Sequence, residues 1–268
     1  MEKKQSNAEV LANKKIKGRY FKAVLRSPLI AKSALPGQFV MLKVASGFSL
    51  TPFLRRPFGI HGIRSGKIEI LYEVVGKGTD ILSQRKPGEV IDLLGPLGNS
   101  FDCRVLKNPN RQPILVAGGM GVAPLMLLAE RLVAGNRRAA IGKVRVLIGA
   151  RAKEQLLCEK EFKKIGCDVK IATDDGSAGF SGRVTALLEE ALLAADCRLA
   201  NIYGCGPKPM LQELARICRK KNIPAQVSLE AHMACGIGAC LGCVVSTKNG
   251  YKRVCQDGPV FETENLIY

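Results

Sequence analysis

Over roughly the first hundred residues, apolar and β-branched positions come in short, partly alternating runs: "RYFKAVL" (19–25), "GQFVMLKV" (37–44), "PFGIHGI" (57–63), "KIEILYEVV" (67–75) and "EVIDLLGPLG" (89–98). Gly, Pro and Ser punctuate them, a spacing that predicts an antiparallel barrel or sandwich. One helical turn is expected after "GKGTD" (76–80), with Thr79 or Asp80 capping "ILSQ". From about residue 112 the rhythm changes. A buried strand, "PILVA", runs into "GGMGVAP" and then the apolar-periodic helix "LMLLAERLVA". Strand "KVRVLIGA" (143–150), helix "EQLLCEKEFKKI" (154–165) and strand "DVKIAT" (168–173) follow. Helix "RVTALLEEALLAA" (183–195), strand "ANIYGC" (200–205) and helix "PMLQELARICRKKN" (209–222) complete the alternation. Strands alternating with helices of this length predict βαβ units and a parallel sheet. After Pro224, "AQVSLE" leads into a cysteine-rich end. The expected domains are a barrel over 15–105, a parallel-sheet α/β domain over 111–223 and a small cysteine module over 226–268.

Composition narrows what such an assembly does. With 268 residues, 47% of them hydrophobic, the chain can bury two cores. The start is rich in lysine and polar residues with no apolar core of a signal sequence, so the expectation is a cytoplasmic chain. "PILVAGGMGVAPLMLLA" (113–129) is uncharged, but its central glycines and Pro124 fit a strand–turn–helix and not a membrane span. Ten cysteines in a cytoplasmic chain point to metal or redox chemistry and not to disulfides. Cys103, Cys158, Cys167, Cys197 and Cys218 lie scattered in apolar or helical contexts and read as small buried hydrophobes. The net charge of +18 suggests a polyanionic partner, yet Trp is absent and aromatics are 5%. No basic run is interleaved with stacking platforms, which argues against nucleic acid. A basic body suits anionic dinucleotides or an acidic partner protein.

The remaining five cysteines are another matter, four of them in one segment. "ACGIGACLGC" (234–243) and the later Cys255 give the spacing Cys235-x4-Cys240-x2-Cys243-x11-Cys255. Zinc sites more often join two C-x2-C pairs, whereas C-x4-C-x2-C with a distant fourth cysteine is the plant-type [2Fe–2S] arrangement. A loop wrapping an inorganic cluster must pass close to the sulfides, and Gly236, Gly238 and Gly242 lack the Cβ that would obstruct it. Zinc stays the alternative. His232 reads as a helper or surface residue, since four cysteines suffice, and His61, in the barrel, as structural and not catalytic.

Two glycine turns follow buried strands. "GGMGVAP" (118–124) opens a helix, where backbone N–H groups can meet a pyrophosphate. "YGCGPKPM" (203–210) repeats that geometry, with Gly204 and Gly206 clearing space, Pro207 pre-setting a helix start and Cys205 between them. Such turns also occur purely for packing. In the barrel, Arg56 of "RRPFGI" can pair with phosphate, and Gly76, Gly78 and Thr79 can donate to a second pyrophosphate.

Taken in order, "RPFG", "LYEVVGKGT", "GGMGVAPL", "YGCGPKPM" and the four-cysteine end resemble the ferredoxin–NADP reductase superfamily. Within it the chain is most similar to the electron-transfer subunits of class 1B dihydroorotate dehydrogenases, which are iron–sulfur flavoproteins. "ATDDGSAGFSGRVT" (172–185) and "CQDGPVF" (255–261) add to the likeness. The resemblance implies an FAD-binding barrel, an NAD-binding α/β domain and a [2Fe–2S] domain. It implies that Arg56, Pro57, Phe58, Gly59, Leu71, Tyr72, Glu73, Gly78 and Thr79 hold FAD. Gly118, Gly119, Gly121, Gly206 and Pro207 would then hold NAD, with Cys205 beside the nicotinamide as the catalytic-site residue. Gly59 departs from a common Ser and Glu73 from a common basic residue, which touches flavin tuning. The implied partner is an FMN-containing catalytic subunit that oxidises dihydroorotate in pyrimidine biosynthesis, in a heterotetramer with two of each chain. The same three modules also fit an NADH-dependent ferredoxin:NADP oxidoreductase or a sulfhydrogenase. A rival of another class is a zinc-bearing binding protein. Arg151 and Lys153, after the strand ending "IGARAK", could receive a 2′-phosphate, but the resemblance favours NAD over NADP.

Overall fold

The computed structural model describes residues 3–45, 51–103, 111–135, 143–193 and 200–267. They fall into two compact units. The first comprises Met1–Ser100, Ala231–Val245 and Lys252–Pro259; the second comprises Phe101–Glu230, Ser246–Tyr251 and Val260–Tyr268.

Seven strands make the first unit's sheet: β1 (Lys4–Lys17), β2 (Tyr20–Arg26), β3 (Phe39–Lys43), β4 (Arg56–Gly59), β5 (Gly62–Arg64), β6 (Lys67–Glu73) and β7 (Val90–Leu97). Helices α1 (Pro28–Ser33) and α2 (Lys77–Ser83) interrupt them. The sheet runs β4-β3-β7-β1-β2-β6-β5, so its two edge strands are consecutive in the chain. Only Ile60 and His61 separate them. The Ile60 N–H donates to Gln38 O beside β3 (3.1 Å) and the His61 N–H to Glu69 O on β6 (2.9 Å). Two residues thus tie one edge to the other, and the sheet curls into a barrel. This is also why 57–63, expected as one strand, is two. Leu25, Leu42, Ile60, Ile68, Ile70, Ile91 and Leu93 fill the interior, each at most 1% exposed. Each contributes roughly 1.5–3 kcal/mol relative to exposure.

Strand β1 corrects the expected start at residue 15. Its "KQSNAEVLANKKIK" carries little apolar signal, and of its residues only Ala8 and Val10 are fully buried. It pairs with β7 over Lys4–Glu9 and with β2 over Glu9–Lys17, so neighbours on both sides make it a strand. Helix α2 begins earlier than expected, inside "GKGTD", so neither Thr79 nor Asp80 holds its cap position: Gly76 does. Thr79, in the first turn, reaches back to accept from the N–H groups of Gly76 (3.2 Å) and Val75 (2.9 Å).

The second unit contains β8 (Gln112–Gly118), α3 (Val122–Gly135), β9 (Arg145–Ala150), α4 (Glu159–Lys164), β10 (Asp168–Thr173), β11 (Phe180–Ser181) and α5 (Val184–Leu193). It continues with β12 (Ala200–Cys205), α6 (Lys208–Lys220), β13 (Ala225–Ser228), β14 (Val244–Thr247), β15 (Gly250–Arg253) and β16 (Val260–Glu262). Strands β14 and β15 form a small hairpin, part of which belongs to the first unit. The main sheet runs β11-β10-β9-β8-β12-β13-β16 and is parallel except at β16. Strand order reverses between β8 and β12, which makes their carboxyl ends the switch point where open α/β sheets bind ligands. Helix α6 shows why the alternation was readable. Leu211, Leu214, Ala215, Ile217 and Cys218 are buried at helical spacing, while Arg216, Arg219 and Lys220 are exposed.

The expected helix over 154–165 is halved. A 3-10 turn at Lys153–Gln155 gives way to extended Leu156, buried Leu157 and left-handed Cys158 (φ 61°), and only then does α4 begin. Residues 194–195 of the expected helix over 183–195, and Cys197, lie outside the described residues. Cys167 and Cys218 are buried as expected, but Cys103 and Cys158 are half-buried. The segment 226–268 is not a third compact unit. Its cysteines pack with the barrel unit, while β13 and β16 are strands of the parallel sheet.

Candidate cofactor sites

The four cysteines of the spacing converge within the first unit. Cys235 and Cys240 stand on the glycine loop, Cys243 is buried at its end, and Cys255 is buried just after β15. The Ile237 and Cys240 N–H groups donate to Cys235 Sγ (3.4 Å each), and the Cys255 N–H donates to Cys243 Sγ (3.4 Å). Backbone donors aimed at sulfur are what cluster thiolates need. The Val254 N–H bonds Cys243 O (2.9 Å), locking the segment that carries Cys255 to the loop. Gly236 (φ 70°) and Gly238 (φ 88°) have left-handed backbones, and a Cβ on Gly236 would press on Met41 of β3 at 2.6 Å. The soft donor set, the small residues and the N–H groups fit a [2Fe–2S] cluster.

The thiols are not alike. Burial opposes charge at Cys235, but N–H donors from Ile237, Cys240 and Ala239 and the Cys240 thiol outweigh it, bringing Cys235 down to about 6. Burial, then the neighbouring Cys243, pushes Cys255 up to about 12. The thiolate is thereby favoured at Cys235, whereas Cys255 holds its proton more tightly and would release it on binding a metal. Sequence reasoning missed the clamp on this loop. Arg253 donates through Nη1 to Gly238 O (3.1 Å), and its Nε meets Asp257 Oδ2 (3.1 Å). Asn99 in turn holds Asp257 O (3.1 Å), and Lys3 Nζ reaches Ile237 O (3.2 Å). The four-residue step from Arg253 to Asp257 was the available signal. His232 is exposed and His61 is buried.

The barrel brings most of the expected flavin residues together. Arg56, Pro57, Phe58 and Gly59 form β4; Leu71, Tyr72 and Glu73 end β6; Gly78 and Thr79 lie in the first turn of α2. The Arg56 side chain lies over Gly78, where an added Cβ would sit 3.1 Å from Nε. Phe58 meets Tyr72 edge-on and Phe21 stacks on Tyr72, with ring centroids 5.8 Å apart in both pairs. A glycine cradle beneath a guanidinium, next to buried aromatics, fits a flavin nucleotide's phosphate and ring. Glu73 is engaged otherwise, in an ion pair with Arg19 (2.7 Å).

At the switch point the two glycine turns touch. A Cβ on Gly121 would overlap the Cys205 carbonyl; one on Gly118 would sit 2.9 Å from Pro207 Cδ, and one on Gly206 3.0 Å from Gly118 N. Packing alone therefore demands those three glycines. Gly119 differs: its φ is +52° and nothing lies within 4 Å of its Cβ position, which leaves that backbone open to a ligand. Cys205 is buried, and desolvation, then Glu230, keeps its thiol protonated. It sits there as a buried, protonated thiol.

A flavin-site barrel, a switch-point nucleotide sheet and a four-cysteine loop define an iron–sulfur flavoprotein reductase with a ferredoxin-reductase-like fold. The family model "Iron-sulfur cluster binding domain of dihydroorotate dehydrogenase B" matches residues 230–267, and "Oxidoreductase NAD-binding domain" matches residues 115–216. The chain is 39% identical over 269 residues to the "Dihydroorotate dehydrogenase B (NAD(+)), electron transfer subunit" of Desulforamulus reducens, covering 98% of each chain. It is 41% identical to that of Geobacillus kaustophilus, covering 96% of each. Among solved structures it resembles an NADH-dependent reduced ferredoxin-NADP oxidoreductase (TM-score 0.82, 31% identity, 97% of this chain and 90% of that one). A ferredoxin reductase of carbazole 1,9a-dioxygenase shares the fold (TM-score 0.67, 22% identity, 83% of this chain and 67% of that one). The chain belongs to the family of dihydroorotate dehydrogenase B (NAD(+)) electron transfer subunits. It is an NAD-linked oxidoreductase subunit whose cofactors are FAD, a [2Fe–2S] cluster and NAD, and it works with a catalytic partner subunit. No helix among the described residues is long and apolar enough to cross a membrane.

Proposed function

We propose that this subunit carries electrons between an FMN-containing, dihydroorotate-oxidising partner and NAD⁺, in a cytoplasmic heterotetramer with two of each chain. Nicotinamide exchanges hydride, a [2Fe–2S] cluster exchanges single electrons, and flavin does both. The residues divide that work. Cys235, Cys240, Cys243 and Cys255 would ligate iron, and the Arg253–Asp257 clamp would keep their two segments in register. Arg56, Gly78 and Thr79 would take the FAD phosphates, with Phe58, Gly59, Leu71 and Tyr72 toward the ring. Gly119 would admit the NAD pyrophosphate, while Gly118, Gly121, Gly206 and Pro207 hold that turn and Cys205 packs beneath the nicotinamide. The observation that carries the reading is the cysteine loop with sulfur-directed N–H groups on a chain that also has the open switch-point glycine. Purified anaerobically, the subunit alone should reduce dyes with NADH and leave dihydroorotate untouched; adding its partner should couple the two. Dihydroorotate turnover by this chain alone, or zinc without flavin absorbance, would overturn it.

We also infer selection for NAD over NADP from the loop after β10. Asp174 and Asp175 donate backbone N–H groups to Ala150 O (3.0 Å) and Arg151 O (3.1 Å), which ties this acidic loop to the end of β9. The Ser177 hydroxyl and N–H bond the Asp175 carboxylate (2.6 and 2.9 Å) and hold its pKa below the ordinary range, so it stays charged. A 2′-phosphate there would meet negative charge. Asp175→Asn should raise kcat/KM for NADPH roughly tenfold and leave kcat with NADH unchanged. An unchanged NADPH:NADH ratio would remove the loop from cofactor choice.

A further inference from the structure

Asn13 lies on β1, a strand whose polar sequence gives no hint of a site. Its side chain is fully used. Oδ1 accepts from the Tyr72 hydroxyl (3.0 Å), while Nδ2 donates to Leu82 O (2.7 Å) and Arg85 O (3.2 Å). Those carbonyls lie at and just beyond the carboxyl end of α2, where Leu82 O also accepts from the Arg85 N–H (3.1 Å), so the amide of Asn13 is a second donor on the turn that closes the helix. Only an amide supplies two donors and one acceptor in that space; a carboxylate has no donor and an aliphatic side chain has neither. The Arg85 side chain anchors the same turn elsewhere, donating from Nη2 to Val44 O (2.8 Å). Tyr72 is buried between Phe21 and Phe58, and burial keeps its hydroxyl a donor by raising its pKa to about 12. The other end of α2 carries Gly78 and Thr79 beneath Arg56.

We propose that Asn13 is a positioning residue for the flavin: its one amide fixes Tyr72, on the ring side, relative to α2, which bears the phosphate-side residues. The inference rests on the flavin reading above. Neither function touches FAD directly, so loss of Asn13 loosens both halves of the cradle together. A variant that merely weakened the barrel would lower melting temperature and would not couple specifically to Tyr72.

The test is FAD affinity of folded apoprotein, by quenching of flavin fluorescence, together with the midpoint potential of bound FAD. Asn13→Ser and Asn13→Ala should weaken binding about tenfold, since the three hydrogen bonds that join Tyr72 to α2 through one amide are disrupted, and should shift the potential. Asn13→Asp should be worse, since its carboxylate faces two carbonyls. Tyr72→Phe should weaken binding less, and in the double variant Asn13→Ala/Tyr72→Phe the two losses should fall short of adding. Folded Asn13→Ser and Asn13→Ala proteins with wild-type affinity and potential would overturn the proposal, as would strict additivity with Tyr72→Phe. If Arg56→Ala and Tyr72→Phe both leave FAD affinity unchanged, the flavin reading falls and this inference with it.

Discussion

Cys255→Ser is expected to empty the iron site while leaving the flavin in place. Cys255 is buried, its N–H already bonds Cys243 Sγ, and of the four proposed ligands it alone lies outside the glycine loop. A serine oxygen is a harder donor than a thiolate and suits cluster iron poorly. Its alcohol is also far less acidic than even the raised Cys255 thiol, so displacing its proton costs more. Iron should fall from about two per chain to near none. Electron transfer to the partner should fall more than about hundredfold, since even outer-shell changes at metal sites cost ten- to hundredfold. NADH-dependent dye reduction should persist, because the flavin residues stand on β4, β6 and α2, none of which contains a ligand cysteine. Iron analysis and the spectrum of the reduced protein decide it. Cys103→Ser, half-buried and outside the ligand set, is the control and should keep its iron. Retention of iron by Cys255→Ser would mean the fourth ligand lies elsewhere.

The contrast between these two cysteines shows what one sequence makes legible. That Cys235, Cys240, Cys243 and Cys255 belong together was readable because a cluster imposes fixed spacing and small residues on a short stretch of chain. The parallel sheet was readable too, since strands and helices there carry their own periodicity, as α6 does with its buried Leu211, Leu214 and Ile217. What failed to show were elements that borrow their stability. Strand β1 is held by partners on both sides, and no local pattern in "KQSNAEVLANKKIK" announces it. Asn13 is the extreme case, with hydrogen-bond partners 59, 69 and 72 residues away. The halved helix α4 failed for the opposite reason. Its residues favour helix locally, but the burial of Leu157 and the left-handed Cys158 divert the chain. The Arg253–Asp257 clamp lay in between, visible as a spacing but without meaning until the loop it grips was known.

Glycines at the switch point raise a sharper question, because sequence alone cannot tell a glycine kept for packing from one kept for a ligand. The structure separates them into opposite expected outcomes. Gly121→Ala drives a methyl group into the Cys205 carbonyl, which is backbone and cannot yield cheaply. Overpacking of this kind costs roughly 1–3 kcal/mol, or more when strands must separate. The parallel-sheet unit should therefore melt several degrees lower, with the NADH site lost along with the turn. Gly119→Ala meets no atom within 4 Å, so it costs only the left-handed backbone penalty at φ +52°, on the order of 1 kcal/mol. Its methyl group instead occupies the space through which a pyrophosphate would approach the N–H groups opening α3. KM for NADH should then rise about tenfold or more while thermal stability changes little, since a ligand phosphate held a few tenths of an ångström too far loses its charge-assisted bonds. Thermal melts and NADH titrations of the two variants form a crossed test: stability lost in one, binding lost in the other. If Gly119→Ala binds NADH normally, the turn is a packing device throughout and the dinucleotide must be held by other groups at the carboxyl ends of β8 and β12.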